Sequence, residues 1–440
     1  MQSISSAELA EILGCKAPST EVLIDKISTD SRMVDQHTLF IALKGERFDG
    51  HDFVSEVITA GCPLVVVNRQ IDGISPDKQL IVEDTLKAYG QIGAYNRSRF
   101  KGVVIGLTGS AGKTTTKEEI AFLLSKFAPT YATKGNHNNF IGVPQSLCEI
   151  DMSAQYAVIE MGMSAAGEIA YLTDLVKPDI AVITNVYPMH IEFFDSFEDI
   201  AYAKAEIFSG LTKGGTAIFN ADTNFAEILE KQARIYTDRI IKFGKYVHPT
   251  DNFTTQNSGE QYLYNAWCAL SVIQALGLNV ELAASYIKDF GALDGRGKQH
   301  HLHLSADSMY TLIDDSYSGQ PEAMIMAIKS LDEMPVSGRK IALLGKMAEL
   351  GATSQARHRE VGKILANSSI DIVIGVCPEM QDMLNELPAD KQSFYFANKD
   401  GVADFLLNKL LQKDDTILIK GARYSSKMYQ VTEELIKKGA

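Results

Sequence analysis

From Gly102 onward, short and continuously apolar runs alternate with amphipathic segments of helical period. A first series consists of the runs GVVIGL, AVIEM, IAVITNV and TAIFN. A second series begins near Met309 and consists of MYTLIDD, RKIALLG, IDIVIGV, SFYFA and DTILIKG. Strands that are apolar throughout and are separated by helices are typical of parallel sheets covered on both faces. The alternation therefore predicts an α/β chain with two successive parallel sheets.

The first hundred residues have a different pattern, because short β-like runs are mixed there with turn signals such as Asp49-Gly50. Residues 293–304 have the glycines and charges of a linker. At roughly 100–200 residues per domain, 440 residues allow two to four domains. We predict three: a small mixed α/β domain over residues 1–100, a central parallel-sheet domain over 101–297 and a C-terminal Rossmann-like α/β domain over 298–440.

Charge and composition exclude several classes of protein. The chain has 42 Lys and Arg against 55 Asp and Glu, and a net charge of −13 disfavours nonspecific attraction to nucleic acid or anionic lipid. No stretch approaches the roughly 18 apolar residues of a membrane-spanning helix, and the first residues lack signal-peptide features. The five cysteines are scattered without CxxC spacing, which indicates reduced thiols. We expect a cytoplasmic monomer that does not bind nucleic acid and does not insert into a membrane.

The strongest local motif, TGSAGKTT, lies between the run GVVIGL and the helical segment TTKEEIAFLLSKF. Glycines let backbone N–H groups curl around phosphate oxygens, and the start of a helix adds positive potential. Lys113 is predicted to reach the β- and γ-phosphates and the Thr114 hydroxyl to bind Mg²⁺. Leu107 replaces the first glycine of the usual GxxxxGK[ST], but the strand–loop–helix context favours a nucleotide site and an ATPase-like central domain. The predicted nucleotide-binding residues are Thr108, Gly109, Ser110, Ala111, Gly112, Lys113, Thr114 and Thr115.

Two further side chains follow later strands of the same predicted sheet. Glu160 ends the run YAVIE, and His190 lies just beyond IAVITNV. Since ligands of open parallel sheets lie beyond the carboxyl ends of strands, Lys113, Glu160 and His190 are expected to converge. A carboxylate and an imidazole near a nucleoside triphosphate favour Mg²⁺ coordination. Spacing alone leaves a solvated loop carboxylate and an ordinary loop histidine as equal alternatives.

Lys204 shares a predicted helical face with Ile200, Ile207 and Phe208. One interpretation is a snorkelling side chain with its ammonium in water. The other is a partly desolvated amine whose lowered pKa favours chemistry, including carbamylation by CO₂. A carbamate would invert the charge and supply oxygens for a second Mg²⁺. The residues alone favour the snorkelling interpretation.

Longer blocks of sequence carry a resemblance to a known family. They are TGSAGKTTTKE, GNHNNFIGVPQSL, EMGMSAAGEIAYLTDLVKPDIAVITNV, the Lys204 helix and GARYSSKM. Together they resemble the Mur ligases of peptidoglycan synthesis, and TDSRMVDQHTLFIALKGERFDGHDF is similar to that family's uridine-nucleotide domain. The resemblance covers essentially the whole chain. Within the family it is strongest to the ligases that add D-alanyl-D-alanine to UDP-N-acetylmuramoyl-tripeptide.

The resemblance implies an ATP-dependent amide ligase with Mg²⁺ as its metal and with those two compounds as substrates. ATP phosphorylates the tripeptide carboxylate, the dipeptide amine attacks the acyl phosphate, and an amide, ADP and phosphate result. Catalytic roles fall by resemblance on Lys113, Glu160, His190 and Lys204. The implied metal ligands are Thr114, Glu160, His190 and a carbamylated Lys204, which makes carbamylation the favoured interpretation of that lysine.

The resemblance also implies binding residues. By resemblance, Asn265 matches an asparagine that lies near the adenine. Arg296 matches a linker arginine near the ATP phosphates, and Asp315 matches an aspartate near the ribose. The uridine-substrate region contains Ser31, Arg32, Lys44 and Gly45, a central substrate loop contains Asn138 and Asn139, and Tyr317 is a candidate on the acceptor side. The alternatives are a salt bridge for Arg296 and a helix cap for Asp315.

The motifs are separated over three predicted domains. We therefore expect the uridine substrate to bind the first domain, ATP the second domain and the dipeptide the third domain. The domains are expected to close when these ligands bind. Two kinds of rival remain. One is another ligase of the superfamily, which adds a single amino acid or is a folylpolyglutamate synthetase. The other is a non-catalytic nucleotide-binding homologue.

Overall fold

A computed structural model describes residues 1–45, 48–187, 194, 196–256, 259–348 and 350–439. Within these residues the chain forms a two-stranded ladder, a four-stranded sheet and two six-stranded sheets. The three larger sheets draw their strands from residues 26–81, 103–243 and 298–420. The predicted α/β class is confirmed, whereas the domain limits at residues 100 and 297 stay predictions. In the described ranges, no helix combines the length and the apolar character needed to cross a bilayer.

The N-terminal sheet is parallel, in the order β3-β4-β5-β6. The ladder and the sheet consist of β1 (Ile4–Ser5), β2 (Leu23–Ile24), β3 (Lys26–Ser28), β4 (Thr38–Ile41), β5 (Leu64–Val67) and β6 (Gln79–Ile81). The helices of this part are α1 (Ser6–Leu13), α2 (Val54–Thr59) and α3 (Thr85–Arg99). Asp84 caps α3 through its carboxylate, which accepts from the backbone N–H groups of Leu86 and Lys87.

The central sheet is entirely parallel, in the order β12-β11-β10-β7-β9-β8. Its strands are β7 (Val103–Thr108), β8 (Thr130–Ala132), β9 (Tyr156–Glu160), β10 (Ile180–Ile183), β11 (Thr216–Asn220) and β12 (Ile240–Phe243). Its helices are α4 (Lys113–Ser125), α5 (Gly142–Cys148), α6 (Glu168–Val176), α7 (Phe197–Ala205), α8 (Ala226–Ala233), α9 (Glu260–Ala275) and α10 (Val280–Tyr286). Successive residues of one strand enter different cores: Val104 packs in one, Ile105 in the other. Burial on both faces explains why these strands are apolar throughout.

The C-terminal sheet has the order β13-β14-β18-β15-β16-β17, and only the edge pair β13–β14 is antiparallel. Its strands are β13 (Lys298–Ser305), β14 (Ser308–Asp315), β15 (Lys340–Gly345), β16 (Ile372–Val376), β17 (Gln392–Phe396) and β18 (Thr416–Lys420). Its helices are α11 (Pro321–Glu333), α12 (Ser354–Ala366), α13 (Met380–Leu384), α14 (Val402–Phe405), α15 (Arg423–Ser426) and α16 (Met428–Gly439). Ile341 and Ala342 enter cores on opposite faces, so this sheet is also covered on both sides.

Candidate active site

A cavity of about 630 Å³ lies where the carboxyl ends of the central and C-terminal sheets face each other. Its volume falls within the roughly 300–1,000 Å³ of small-molecule sites in proteins. Glu160 and Asn220 end strands of the central sheet, and Asp315 and Lys420 end strands of the C-terminal sheet. Open parallel sheets bind ligands at this end of the strands, so the cavity is the candidate active site.

The motif TGSAGKTT spans the end of β7, the loop of residues 109–112 and the first turn of α4, and its residues 110–115 form one wall of the cavity. Gly112 has a φ of +73°, and a Cβ added there would lie 3.0 Å from Asn265 Oδ1, so the position requires glycine. Lys113 begins α4, and its Nζ donates to Gly109 O at 2.9 Å. A lysine folded over a glycine-rich loop at the start of a helix is suited to binding nucleotide phosphates.

Residues directly after β10 hold this loop in shape. Asn185 Oδ1 accepts from Ala111 N–H at 2.8 Å, and Asn185 Nδ2 donates to Ala111 O at 3.0 Å. Thr184 Oγ1 donates to the same carbonyl at 2.9 Å. Ser110 Oγ accepts from the backbone N–H of Tyr187 at 2.8 Å and donates to its carbonyl at 3.1 Å. The neighbouring strand therefore fixes the conformation of the phosphate loop before any ligand is considered.

Glu160 supplies a carboxylate that is only 1% exposed. Its Oε1 accepts from Thr114 Oγ1 at 3.3 Å and from Asn138 Nδ2 at 2.8 Å. Its Oε2 is buried and has no hydrogen-bond partner among the described residues. Since an ionised oxygen without a donor is costly to bury, a cation or water beside it is needed. The oxygens of Glu160 and Thr114 fit Mg²⁺, which prefers hard oxygen ligands and keeps several waters.

The other predicted metal ligands give a different result. His190 lies outside the described residues, and within those residues no group of three or more His, Cys, Asp or Glu side chains forms a metal cluster. Lys204 lies on α7 and is 2% exposed, so its ammonium does not reach water and the snorkelling interpretation is wrong. Burial lowers the pKa of Lys204 well below its usual range, and the charge of Lys113 lowers it further.

The C-terminal sheet and the linker supply the opposite wall. Arg296 Nη2 donates to Thr114 Oγ1 at 2.9 Å, so the linker contacts the phosphate loop directly. The Arg296 guanidinium carbon also lies 4.2 Å from the centre of the Tyr317 ring. Lys420 is buried at the end of β18, and its Nζ lies 2.6 Å from Asp315 Oδ2. These contacts bring predicted residues from two sheets into one site.

The lining of the cavity has a local excess of positive charge although the whole chain carries −13. Its charged side chains are Lys113, Arg296, Lys420 and Arg423 on the basic side, and Glu160 and Asp315 on the acidic side. Low-dielectric walls of one sign concentrate ligands of the opposite charge. The cavity therefore favours an anionic ligand such as a nucleoside triphosphate.

Comparison with known proteins decides the family. Residues 23–90 match the family model described as "Mur ligase family, catalytic domain". Residues 107–278 match the Mur ligase middle domain, and residues 302–423 match the Mur ligase glutamate ligase domain. UDP-N-acetylmuramoyl-tripeptide–D-alanyl-D-alanine ligase of Escherichia coli (strain K12) is 34% identical over 466 residues, which cover 100% of both chains. The chain is a Mur ligase.

Solved structures are similar to this Mur ligase over its whole length. Crystal structure I of MurF from Acinetobacter baumannii has a TM-score of 0.89 and 31% identity and covers 99% of each chain. MurF ligase from Thermotoga maritima in complex with ADP has a TM-score of 0.81 and 28% identity, over 94% of this chain and 97% of that one. The resemblance to the family that the sequence motifs carry is thereby confirmed.

Several predicted residues of this Mur ligase lie away from the cavity. Ser31 begins a 3₁₀ turn, and Arg32 is largely exposed and pairs with Asp30 at 2.6 Å. Lys44 forms an isolated bridge with Asp49, beside Gly45, whose N–H donates to Phe48 O at 2.9 Å. All four belong to the N-terminal part, as expected for a separate substrate region, and their binding role stays a prediction.

Among the other predicted positions, Asn139 and Thr108 do not line the cavity. Asn139 Oδ1 accepts from the N–H groups of Ile141 and Gly142, at 3.1 and 2.9 Å, in the turn that leads into α5. Thr108 is fully buried at the end of β7 and does not line the cavity. Asn138, Thr115 and Asn265 do line it, and Asn265 Oδ1 accepts from Thr116 Oγ1 at 3.1 Å.

Sequence reasoning missed other residues of the site. Asn185 lies two residues after the end of β10, and the argument used for His190 would have found it. Lys420 ends an otherwise apolar strand, which is a signal for a buried charge at a strand end. Arg423, Tyr262 and Tyr264 also line the cavity. Arg423 belongs to the block GARYSSKM that carries the family resemblance, but the sequence assigned it no role, whereas no spacing marks the two tyrosines.

Proposed function

We propose that this Mur ligase joins D-alanyl-D-alanine to UDP-N-acetylmuramoyl-tripeptide at the expense of ATP, forming an amide, ADP and phosphate in peptidoglycan precursor synthesis. One observation carries the proposal. The Thr114 hydroxyl of the phosphate loop contacts Glu160 of the central sheet and Arg296 of the linker. A phosphate-binding loop, a buried carboxylate and a cation thus converge on one group. Full-length identity to the E. coli ligase supports this choice of substrates.

The chemistry requires that a carboxylate oxygen becomes a leaving group. Phosphorylation by ATP achieves this, and the dipeptide amine then attacks the carbonyl carbon and displaces phosphate. The protein contributes mainly position and charge, because phosphoryl transfer needs little covalent help. Lys113 and Arg296 bind the phosphate oxygens and stabilise the charge that develops on them. Asn265 and Asp315 lie on the same lining and are proposed to hold the adenine and ribose.

The metal is proposed to be Mg²⁺, held by Glu160 Oε2 and the Thr114 hydroxyl. When bound, Mg²⁺ neutralises phosphate charge and orients the triphosphate. Asn138 keeps the carboxylate in one orientation, since its Nδ2 donates to Glu160 Oε1 at 2.8 Å. His190 is proposed as a further ligand from the sequence motif alone.

Lys204 is proposed to carry a carbamate. Its lowered pKa increases the fraction of neutral amine. The ammonium first loses a proton to solvent. The Nζ lone pair of the neutral amine then forms a bond to the carbon of CO₂, one carbon–oxygen π pair moves to oxygen, and a second N–H proton of the adduct is lost to solvent. The product is an anion near Lys113, and opposite charges then replace the repulsion between two lysines. Its oxygens would be suitable ligands for a second Mg²⁺.

The remaining substrate positions follow the separation of the sheets. The uridine end is proposed to bind the N-terminal region that contains Ser31, Arg32, Lys44 and Gly45, with the tripeptide reaching Asn138 and Asn139. The dipeptide approaches from the C-terminal sheet near Tyr317. We also propose that the enzyme acts in the cytoplasm, which is consistent with its five free cysteines. Its proposed role is in cell-wall biogenesis and cell division.

The test is a mass-resolved analysis of products formed from ATP, UDP-N-acetylmuramoyl-tripeptide and D-alanyl-D-alanine. We expect one amide product and equimolar phosphate release. Parallel reactions with single amino acids, and with folate and glutamate, examine the rival ligase activities. Lys113→Ala is expected to abolish phosphate release. Product formation only with a single amino acid or folate, or no turnover at all, would overturn the proposal.

A further inference from the structure

Each of three basic side chains in the cavity has a described contact that fixes its position. Lys113 Nζ donates to Gly109 O within the phosphate loop. Arg296 donates to Thr114, and Lys420 pairs with Asp315 at 2.6 Å. The fourth basic side chain, Arg423, lines the cavity but forms no ion pair with a carboxylate in the part of the chain that the structure describes. Its charge is therefore available to a ligand.

The Arg423 side chain is held by aromatic rings. Its guanidinium carbon lies 4.4 Å from the centre of the Tyr429 ring and 5.3 Å from that of Tyr317. Its backbone N–H donates to Tyr317 O at 3.3 Å, which ties the start of α15 to the end of β14. Aromatic faces attract a guanidinium without using its N–H groups. Arg423 is thus positioned in advance, with donors left for a planar, bidentate partner.

We propose that Arg423 binds the C-terminal carboxylate of the incoming dipeptide and so determines specificity for an acceptor with a free carboxylate. The inference rests on the proposed function, because it names how that site recognises its second substrate. A guanidinium matches a carboxylate in a two-bond geometry that Lys cannot reproduce. The amine of the dipeptide would then point away from Arg423, toward the phosphate loop.

Distances along the cavity agree with this orientation. Arg296 and Arg423 both lie over the Tyr317 ring, with their guanidinium carbons 4.2 and 5.3 Å from its centre. The two cations are therefore at most about 10 Å apart, and an extended dipeptide spans roughly 7 Å, to which a hydrogen bond adds about 3 Å. A dipeptide held by Arg423 is therefore long enough for its amine to reach the arginine that contacts Thr114.

The test compares D-alanyl-D-alanine with its C-terminal amide in the full-length enzyme. Wild type, Arg423→Gln and Arg423→Lys are assayed, with Arg234→Gln as the control. Arg234 is an exposed arginine directly after α8 that pairs with Glu230 away from the cavity. We expect R423Q to raise the KM for the dipeptide by about 10- to 100-fold. The KM for ATP is expected to stay within about twofold, because the phosphate contacts are separate.

The decisive reading is the preference for acid over amide. Wild type is expected to prefer the acid over the amide by about 10- to 100-fold. R423Q is expected to lose that preference, and R423K is expected to keep part of it. Loss of packing alone would lower activity with both acceptors equally and leave the preference intact, which overturns the inference. A raised KM for ATP with an unchanged KM for the dipeptide also overturns it. Absence of any dipeptide product in wild type would instead refute the proposed function.

Discussion

Replacement of Glu119 by glutamine is expected to stabilise the protein increasingly as the pH rises. Glu119 lies on α4, is 3% exposed and faces a small cavity that Thr115, Tyr262 and Phe290 also line. Burial raises the pKa of its carboxyl group to about 8. Burial raises the pKa of the Cys268 thiol, which lies on the helix packed against α4, and a charge on Glu119 raises it further.

The sign follows from proton binding. Glu119 titrates near 4.5 when unfolded and near 8 when folded, so at intermediate pH the folded state holds a proton that the unfolded state has lost. The free energy of unfolding therefore falls as pH rises, by about 1.4 kcal/mol per pH unit between roughly pH 5 and 7.5. Over the whole interval the loss is about 5 kcal/mol. Glutamine has no charge to bury, so E119Q removes this part of the slope.

Urea unfolding at pH 6, 7 and 8 measures the effect. Trp267, the single tryptophan of the sequence, lies on α9 in the core that α4 also enters, and its fluorescence reports this region. The stability difference between E119Q and wild type should grow by about 1.4 kcal/mol per pH unit up to about pH 7.5. Glu118→Gln is the control, because that side chain is 35% exposed and pairs with Lys117. Parallel pH profiles for wild type and E119Q would refute the reasoning.

Three further outcomes are expected. Lys117→Met should lower the free energy of unfolding, measured in urea titrations, by about 2–4 kcal/mol. The buried Lys117 Nζ donates to the carbonyls of Thr133 and Gly135, and the variant leaves both carbonyls unpaired. A change below about 0.5 kcal/mol would contradict this. Gly109→Ala should weaken ADP binding at least tenfold in calorimetric titrations, because the added Cβ would collide with the Thr184 hydroxyl; unchanged affinity would show that the loop adapts. With ¹³C-labelled bicarbonate, a carbamate signal should appear in wild type and be absent from Lys204→Arg; an identical signal in both would place the carbamate elsewhere.

The sheets were predictable because their signal is local. Residues such as Val104 and Ile105 must both be apolar when they enter cores on opposite faces, and a run of such residues is visible in one short window. The phosphate loop was predictable for the same reason, since strand, glycines, lysine and helix are contiguous. Glu160 followed from the rule that parallel strands end at one edge.

Burial of individual charges was not predictable in this way. The helical face of Lys204 contains isoleucine and phenylalanine, but the pattern does not say whether the face ends in water or under another element. The bracing of Ala111 by Asn185 depends on which strand lies beside β7, and 74 residues separate the two. Arg423 enters the site from the far end of the chain, so only the assembled fold brings it to the cavity.

The linker gives the most informative difference between pattern and structure. Its glycines and charges predict only a linker, whereas in the structure Gly295 N–H donates to Asp314 Oδ2 at 2.9 Å and Gly297 N–H donates to Asp314 O at 2.7 Å. Tyr317 N–H in turn donates to Gly295 O at 3.1 Å. Arg296 is therefore fixed to the C-terminal sheet, while its guanidinium contacts Thr114 on α4, which packs on the central sheet. Any separation of the two sheets must break this contact, so the phosphate loop receives its arginine only when both walls of the cavity are in place.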